Sequence, residues 1–282
     1  MGLDRDDSTR SFGDSEWWGF VSAYRRLTGQ DLSAYRREQL ERRLRGLVAR
    51  LGVDGLAELL RRMEREEAVR QQVVSFLTIH VSEFFRNPEQ FERLRRHWLP
   101  RVRRRRSIAL WSAGCSNGPE PYSLAILLAE EGMLERAEIL ATDVDDVALA
   151  QAASGEYEEE GLAGLDPERR RRWLEPVAPG RWRLRQEIRE RVRVRHHDLL
   201  VDPPPGRFDL ILCRNVLIYF TAAGKERALK GLAEALEPDG WLLLGSTESL
   251  NGAAAHGLRP VGPFLYEAGE TKLGLDRRGR RV

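Results

Sequence analysis

The sequence is poor in several features that would settle its class at once. It has only two cysteines in 282 residues, Cys115 and Cys213, too few for a disulfide framework. No apolar run approaches the roughly 18 residues of a membrane-spanning helix. The polar, acidic start "MGLDRDDSTRSFGDSEWW" has no hydrophobic stretch of a secretory leader. "MGLDRD" also lacks the Ser or Thr of a myristoylation pattern. These absences predict a cytoplasmic protein with no direct membrane insertion. The 5 histidines, His196-His197 among them, lack metal-ligand spacing with cysteine or acidic partners, so no metal is expected. No Ser-His-Asp or Cys-His set is apparent. Net charge is +2, from 46 basic and 44 acidic residues, so the chain as a whole does not advertise a nucleic-acid partner. The one dense basic run, "RVRRRR", has no interleaved aromatics on which bases would stack.

What is present divides the chain. Residues 1–16 read as a disordered tail. From 17 to 99 the pattern is helical: in "YRREQLERRLRGLVARLG" the 3.6 period puts Leu40, Leu44, Leu47, Val48 and Leu51 on one face. Gly52 is a fitting helix stop, and Asn87-Pro88 reads as an N-cap and first turn. "PRVRRRRS" (100–107) is the expected linker. From 108 to 270 short apolar runs alternate with helical ones, which predicts an α/β domain with a mostly parallel, Rossmann-like sheet. Residues 156–195, charged and tryptophan-containing, are set apart as a small β-subdomain with a hairpin at Pro179-Gly180. Residues 271–282 read as a second tail.

The stretch "WSAGCSNGPEPYS" (111–123) joins a predicted strand to a predicted helix. Its glycines, Gly114 and Gly118, do not make the G-x-G-x-x-G of a dinucleotide site. No Gly-Lys-Ser/Thr of a P-loop follows either. Such a loop suits a smaller adenosyl cofactor. The next strand, "EILATDVD", ends in Asp143, placed to accept from ribose hydroxyls. Glu120, in the first helical turn beside positive dipole charge, is suited to a cationic amino-acid end. A structural reading of both stands beside this: Glu120 as an ordinary first-turn residue, Asp143 as the cap of "DDVALAQAA". A third strand, "FDLILCRNVLIYF" (208–220), runs into Arg214-Asn215, and ligands in open parallel sheets lie beyond the carboxyl ends of the strands.

With these segments in view, the sequence resembles the chemotaxis-receptor glutamate O-methyltransferases, the CheR family. "YRREQLERRL" is similar to the family's basic N-terminal helix. "LTIHVSEFFRN" resembles its cofactor-covering segment, and "WSAGCSNGPEPYS" its glycine loop. "ATDVD", "FDLILCRNVLIYF" and "LEPDGWLLLGSTES" resemble its later strands. The likeness spans about residues 17–268 in the family's order. It implies a class I methyltransferase domain behind a helical N-terminal domain, with S-adenosylmethionine as cofactor and S-adenosylhomocysteine as product. The implied reaction is methylation of glutamates on the cytoplasmic helical domain of a chemoreceptor, by an enzyme expected to be a monomer. The cofactor contacts it implies are His80, Ser82, Arg86, Gly114, Glu120, Asp143, Asp198, Leu199, Arg214 and Asn215. Tyr219 would line the site of the substrate carboxylate, with Arg86 beside it as the second catalytic candidate; a packing role for Tyr219 stands as its alternative. Residues 36–50 carry six arginines against two glutamates, and Arg36, Arg43 and Arg50 recur every seventh residue as a candidate receptor-docking stripe. His80, Ser82, Pro119 and Asp198 depart from the family's usual residues. His80 and Pro119 keep open a cofactor-binding signalling adaptor as the alternative; a nucleic-acid-binding methyltransferase is a more distant one. The implied β-subdomain lacks the family's glycine-rich tip, which points to an enzyme independent of a receptor's C-terminal pentapeptide.

Overall fold

The computed structural model describes residues 11–78, 82–250 and 252–269. The expected tail at 271–282, the first ten residues and His80 lie outside the described residues. The chain separates into two compact units: Met1–Ile79 with Tyr219–Lys225, and His80–Ile218 with Glu226–Val282.

The first unit is built on four helices, α1 (Asp14–Thr28), α2 (Arg37–Leu51), α3 (Gly55–Arg65) and α4 (Glu67–Leu77). Helix α1 takes in residues assigned above to a tail, and its first turn carries Asp14 and Glu16, acidic residues favoured at that end. The apolar face of α2 follows the spacing of the sequence. Leu40, Leu44 and Leu47 are buried with Trp17, Phe20, Tyr24, Leu56, Leu59, Met63 and Val73. Gly52 adopts φ 62°, and its N–H reaches the carbonyls of Val48 and Ala49, the left-handed stop that a residue without Cβ takes most cheaply. The segment Tyr219–Lys225 closes on residues 34–36. The Arg36 N–H donates to Tyr219 O at 2.9 Å, and the Thr221 N–H to Ala34 O at 2.8 Å. The rings of Tyr35 and Phe220 meet edge to face at 5.0 Å.

The second unit opens with α5 (Pro88–Arg93), a π-helical turn at Leu94–Trp98, and α6 (Leu99–Val102). It continues through β1 (Ile108–Ala113), α7 (Pro119–Glu130), β2 (Ala137–Asp143), α8 (Asp146–Ser154), β3 (Glu156–Glu158) and α9 (Pro167–Trp173). Then come β4 (Leu174–Ala178), β5 (Arg181–Leu184), α10 (Gln186–Arg189), β6 (Val192–His196) and β7 (Phe208–Cys213). Helix α11 (Ala222–Glu234) precedes β8 (Leu236–Leu244), β9 (Leu258–Gly262) and β10 (Leu265–Ala268). Seven strands pair in the order β6-β2-β1-β7-β8-β10-β9. The first five are parallel, and β10 is antiparallel to both its neighbours. Every residue of β7 and all but one of β1 are buried, as befits central parallel strands covered on both faces. The chain winds outward from β1 to β2 and β6, then returns to place β7 on the other side of β1. That reversal makes the carboxyl ends of β1 and β7 the switch point where such sheets bind ligands.

Two boundaries differ from expectation. Residues 100–107 are not the divide between units, which falls at Ile79/His80. Pro100–Val102 are helical, and the basic run is tied down: Arg101 pairs with Glu267, and Arg105 with the buried carboxylate of Asp209. Charge density that reads as a solvated linker serves here as anchorage. The β-subdomain is also shorter than 156–195. Strands β3, β5 and β4 form a separate three-stranded sheet with Pro179-Gly180 as the two-residue hairpin turn. By contrast, "VRVRH" is β6, an edge of the main sheet parallel to β2.

The α2 face makes a testable case. Leu44 is fully buried, and Leu44→Ala should cost about 2–5 kcal/mol of unfolding free energy through lost burial and the cavity left behind. Urea denaturation followed by circular dichroism measures this; a loss under about 1 kcal/mol would contradict the assigned packing.

Candidate functional site

The loop after β1 is shaped by two close approaches. Gly114 (φ 82°) lies so near the post-β7 segment that a Cβ would fall 2.4 Å from Val216 Cγ2. At Gly118 (φ 101°) a Cβ would fall 2.8 Å from the Tyr157 hydroxyl and 3.0 Å from Ala152 Cβ. Only glycine meets both the backbone and the space requirement. The loop is laced to β2: the N–H groups of Gly114 and Cys115 donate to Thr142 O at 2.8 and 2.9 Å. The Ser116 N–H donates to Asp143 Oδ2 at 2.8 Å. Asp143 is not the cap of α8; Asp145 is, accepting from the N–H groups of Val147 and Ala148. Asp143 is thus left at the strand end, half-buried, against the glycine loop. Pro119 occupies the first turn of α7 behind Gly118, where its missing N–H costs no helical bond.

Glu120 and Arg214, two separate candidates in the sequence, form one buried unit. Arg214 Nη1 donates to Glu120 Oε2 at 3.1 Å, and the Ser112 hydroxyl donates to Oε1 at 2.6 Å. Arg214 Nε donates to Gln90 Oε1 at 2.6 Å, and Nη2 donates to Asn87 Oδ1 at 3.1 Å and to the carbonyl of Arg86. Gln90 in turn donates through Nε2 to Leu244 O at 3.1 Å, at the end of β8. The Arg214 side chain is 2% exposed. It therefore braces this end of the sheet, between Glu120 and the entry to α5. Asn87 does occupy the N-cap position of α5 with Pro88 in the first turn, but at φ 57° it makes no side-chain capping bond, and its Oδ1 accepts from Arg214 instead.

Burial pushes the Glu120 carboxyl up from the usual 4.5, while Arg214 and Ser112 pull it back down. A carboxyl raised in this way favours the fold most when protonated. Its contribution is complete below the usual value and is lost as the pH rises through the raised one. Burial, with Asp143 and Glu120 nearby, also holds the Cys115 thiol well above its ordinary value, so this sulfur stays a thiol rather than a thiolate.

Asn215 sits in the left-handed region at φ 60°. Its Oδ1 is a buried acceptor with no partner among the described residues. Asp198 is buried and Leu199 half-buried just past β6; the Asp198 carboxylate accepts from the Leu200 N–H at 2.8 Å. Ser82 and Arg86 are half-buried before α5. Tyr219, also half-buried, belongs to the helical unit.

The expected stripe of Arg36, Arg43 and Arg50 does not stand as a uniform free surface. Arg43 is turned in to the end of α4, with Nε donating to Phe76 O at 2.8 Å and Nη2 to Thr78 O at 3.0 Å. It satisfies carbonyls that a helix end leaves open. Arg36 reaches Phe220 O at 3.3 Å, and Arg50 lies over the Phe76 ring at 5.7 Å; both remain exposed. Sequence reading missed Ser112, Gln90 and the buried Glu248. The one available signal was a polar residue amid apolar neighbours, as Ser112 stands in "IALWSAG".

The brace predicts its own failure. Arg214→Met leaves a carboxylate buried without its cation and should cost about 3–5 kcal/mol in urea unfolding. Adding Glu120→Gln should recover part of that loss, because the stranded charge is gone. Equal stability of Arg214→Met and the parent would contradict the pairing.

Two family models match the chain. "CheR methyltransferase, all-alpha domain" matches residues 19–78, and "CheR methyltransferase, SAM binding domain" matches residues 80–259. A chemotaxis protein methyltransferase of Listeria innocua is 34% identical over 256 residues, covering 90% of this chain and 97% of the relative. The chemotaxis protein methyltransferase Cher2 of Pseudomonas putida is 37% identical over 227 residues, covering 76% and 82%. One from Vibrio anguillarum is 34% identical over 252 residues, covering 86% and 92%. Matched along nearly its whole described length, the chain belongs to the CheR methyltransferase family, with S-adenosylmethionine as its cofactor.

Proposed function

We propose that this chain methylates glutamate side-chain carboxylates on the cytoplasmic helical domain of a chemoreceptor, giving glutamate methyl esters. The observation that carries this reading is a switch point whose glycine loop, Asp143 and Asn215 suit the cofactor, within a chain whose relatives are named chemotaxis methyltransferases. A carboxylate is already ionised at neutral pH and needs no general base, so positioning and exclusion of water are the chief demands.

The residues fit the cofactor. The glycine loop lets a ligand approach backbone, Asp143 stands at the β2 end, and Asn215 presents an unpartnered buried acceptor. When bound, S-adenosylmethionine supplies a methyl group on a sulfonium, and the C–S electron pair goes to sulfur as the ester O–C bond forms. Asp143 would accept from the ribose hydroxyls, and Glu120, held by Ser112 and Arg214, would meet the cationic amino-acid end. Ser82, Arg86, Asp198 and Leu199 complete the lining. The exposed arginines that remain for an acidic receptor helix are Arg36, at the N-cap of α2, and Arg42 and Arg50 on the helix.

Incubation with methyl-labelled S-adenosylmethionine and receptor cytoplasmic fragments should transfer label that base releases as methanol. Arg42→Glu with Arg50→Glu should lower kcat/KM for receptor by roughly tenfold or more, by slowing charge-steered encounter, and leave cofactor affinity unchanged. Cofactor binding without base-labile label on any receptor would instead favour the adaptor reading. A second outcome concerns pH. Because the Glu120 carboxyl is raised by burial, cofactor affinity should begin to fall on acidification above the ordinary carboxylate range. Glu120→Gln should bind more weakly and lose that pH dependence; calorimetric titrations across the acid range decide it.

A further inference from the structure

Glu248 lies in "STES" after β8 and is 5% exposed. One of its oxygens, Oε2, accepts from the Asn215 N–H at 2.6 Å and the Gly245 N–H at 2.8 Å. The other, Oε1, accepts from the Ile218 N–H at 3.2 Å. A single buried carboxylate thus gathers three backbone donors from the segments leaving β7 and β8, neighbouring parallel strands. Gly245 makes the approach feasible: a Cβ there would fall 2.6 Å from Glu248 Oε2 and 2.7 Å from the Asn215 nitrogen. What the carboxylate holds is unusual in two respects. Asn215 has φ 60°, the left-handed region that Asn tolerates better than most residues but that few non-glycine residues occupy. Its side-chain Oδ1 is buried and unpartnered among the described residues, an arrangement that calls for an outside donor.

We propose that Glu248 is a positioning residue for the cofactor site: by holding the backbone N–H groups of Asn215 and Ile218, it fixes Asn215 in its left-handed conformation, so that Oδ1 is presented as an acceptor to a donor group of the bound cofactor. Glu248 acts through Asn215 and touches no ligand itself. The role rests on the cofactor-site reading above, and Gly245 is part of the device, because any side chain there drives the carboxylate and the Asn215 nitrogen apart.

The test is calorimetric binding of S-adenosylhomocysteine to the full chain, with melting temperatures in parallel. Glu248→Ala and Gly245→Ala should each weaken binding by about tenfold or more, the scale of losing one well-made hydrogen bond to a charged or buried partner. Glu248→Gln, which keeps the size and one carbonyl oxygen, should retain more affinity than Glu248→Ala. The double variant Glu248→Ala, Asn215→Ala should bind no more weakly than the poorer single variant, since the two residues act in series. Glu267→Gln alters another buried carboxylate, bound to Arg101, Arg259 and Trp241; it should lower the melting temperature and leave affinity unchanged. Additive losses in the double variant would overturn the proposal, as would unchanged binding by both Glu248→Ala and Gly245→Ala. Equal weakening by Glu267→Gln would reduce Glu248 to a stability role and overturn it too. Parent protein that binds no S-adenosylhomocysteine would overturn the cofactor-site reading itself, a result distinct from all of these.

Discussion

The buried guanidinium of Arg214 is the constraint on which the candidate site depends. A charge taken out of water costs several kcal/mol unless it is fully paired and hydrogen-bonded. Arg214 meets that cost by drawing acceptors from Glu120, Gln90, Asn87 and the Arg86 carbonyl. Each partner is fixed in turn: Ser112 holds Glu120 from β1, and Gln90 reaches β8 through Leu244. The start of α7, the entry to α5 and the ends of three strands are thereby set by one side chain. The planar guanidinium fork suits such a role; a lysine would offer only a point charge.

Around this brace the site needs little reactive chemistry of its own. Glu120 is held by Ser112 and Arg214, and the Cys115 sulfur in the glycine loop is kept protonated by burial. The two glycines of the loop give backbone approach, and their conformations are fixed by contacts with Val216, Tyr157 and Ala152. A preorganised, water-excluding cleft is what a displacement reaction between an anion and a sulfonium methyl requires.

Much of this was legible in the sequence because it depends on local pattern. The 3.6 spacing of Leu40, Leu44 and Leu47, the stop at Gly52 and the turn at Pro179-Gly180 each follow from short-range chemistry, and each appears in the structure. So does the parallel sheet with polar strand ends. What escaped were pairings across long sequence distances. Asn87 carries every local mark of an N-cap, yet its acceptor goes to Arg214, 127 residues away. Arg43 repeats at the right interval for a docking stripe, but the open carbonyls of α4 capture it. The "RVRRRR" run reads as solvated until Glu267 and Asp209 are seen to hold it. Glu248 also binds the nearby Gly245 N–H, but the partner that gives it a place in the site, Asn215, is 33 residues distant. Competition from tertiary partners, rather than faulty propensity, accounts for these misses.

The central claim, that the carboxyl ends of β1 and β7 form a cofactor site organised by the Arg214 network, is tested most directly by a crystal structure with S-adenosylhomocysteine bound. The account predicts the ligand beside the Gly114–Gly118 loop, with Asp143 at its ribose and Asn215 Oδ1 accepting a hydrogen bond from it, and the Arg214–Glu120 pair intact. A ligand bound elsewhere, or a complex in which Arg214 leaves Glu120 and turns out to solvent, would contradict it.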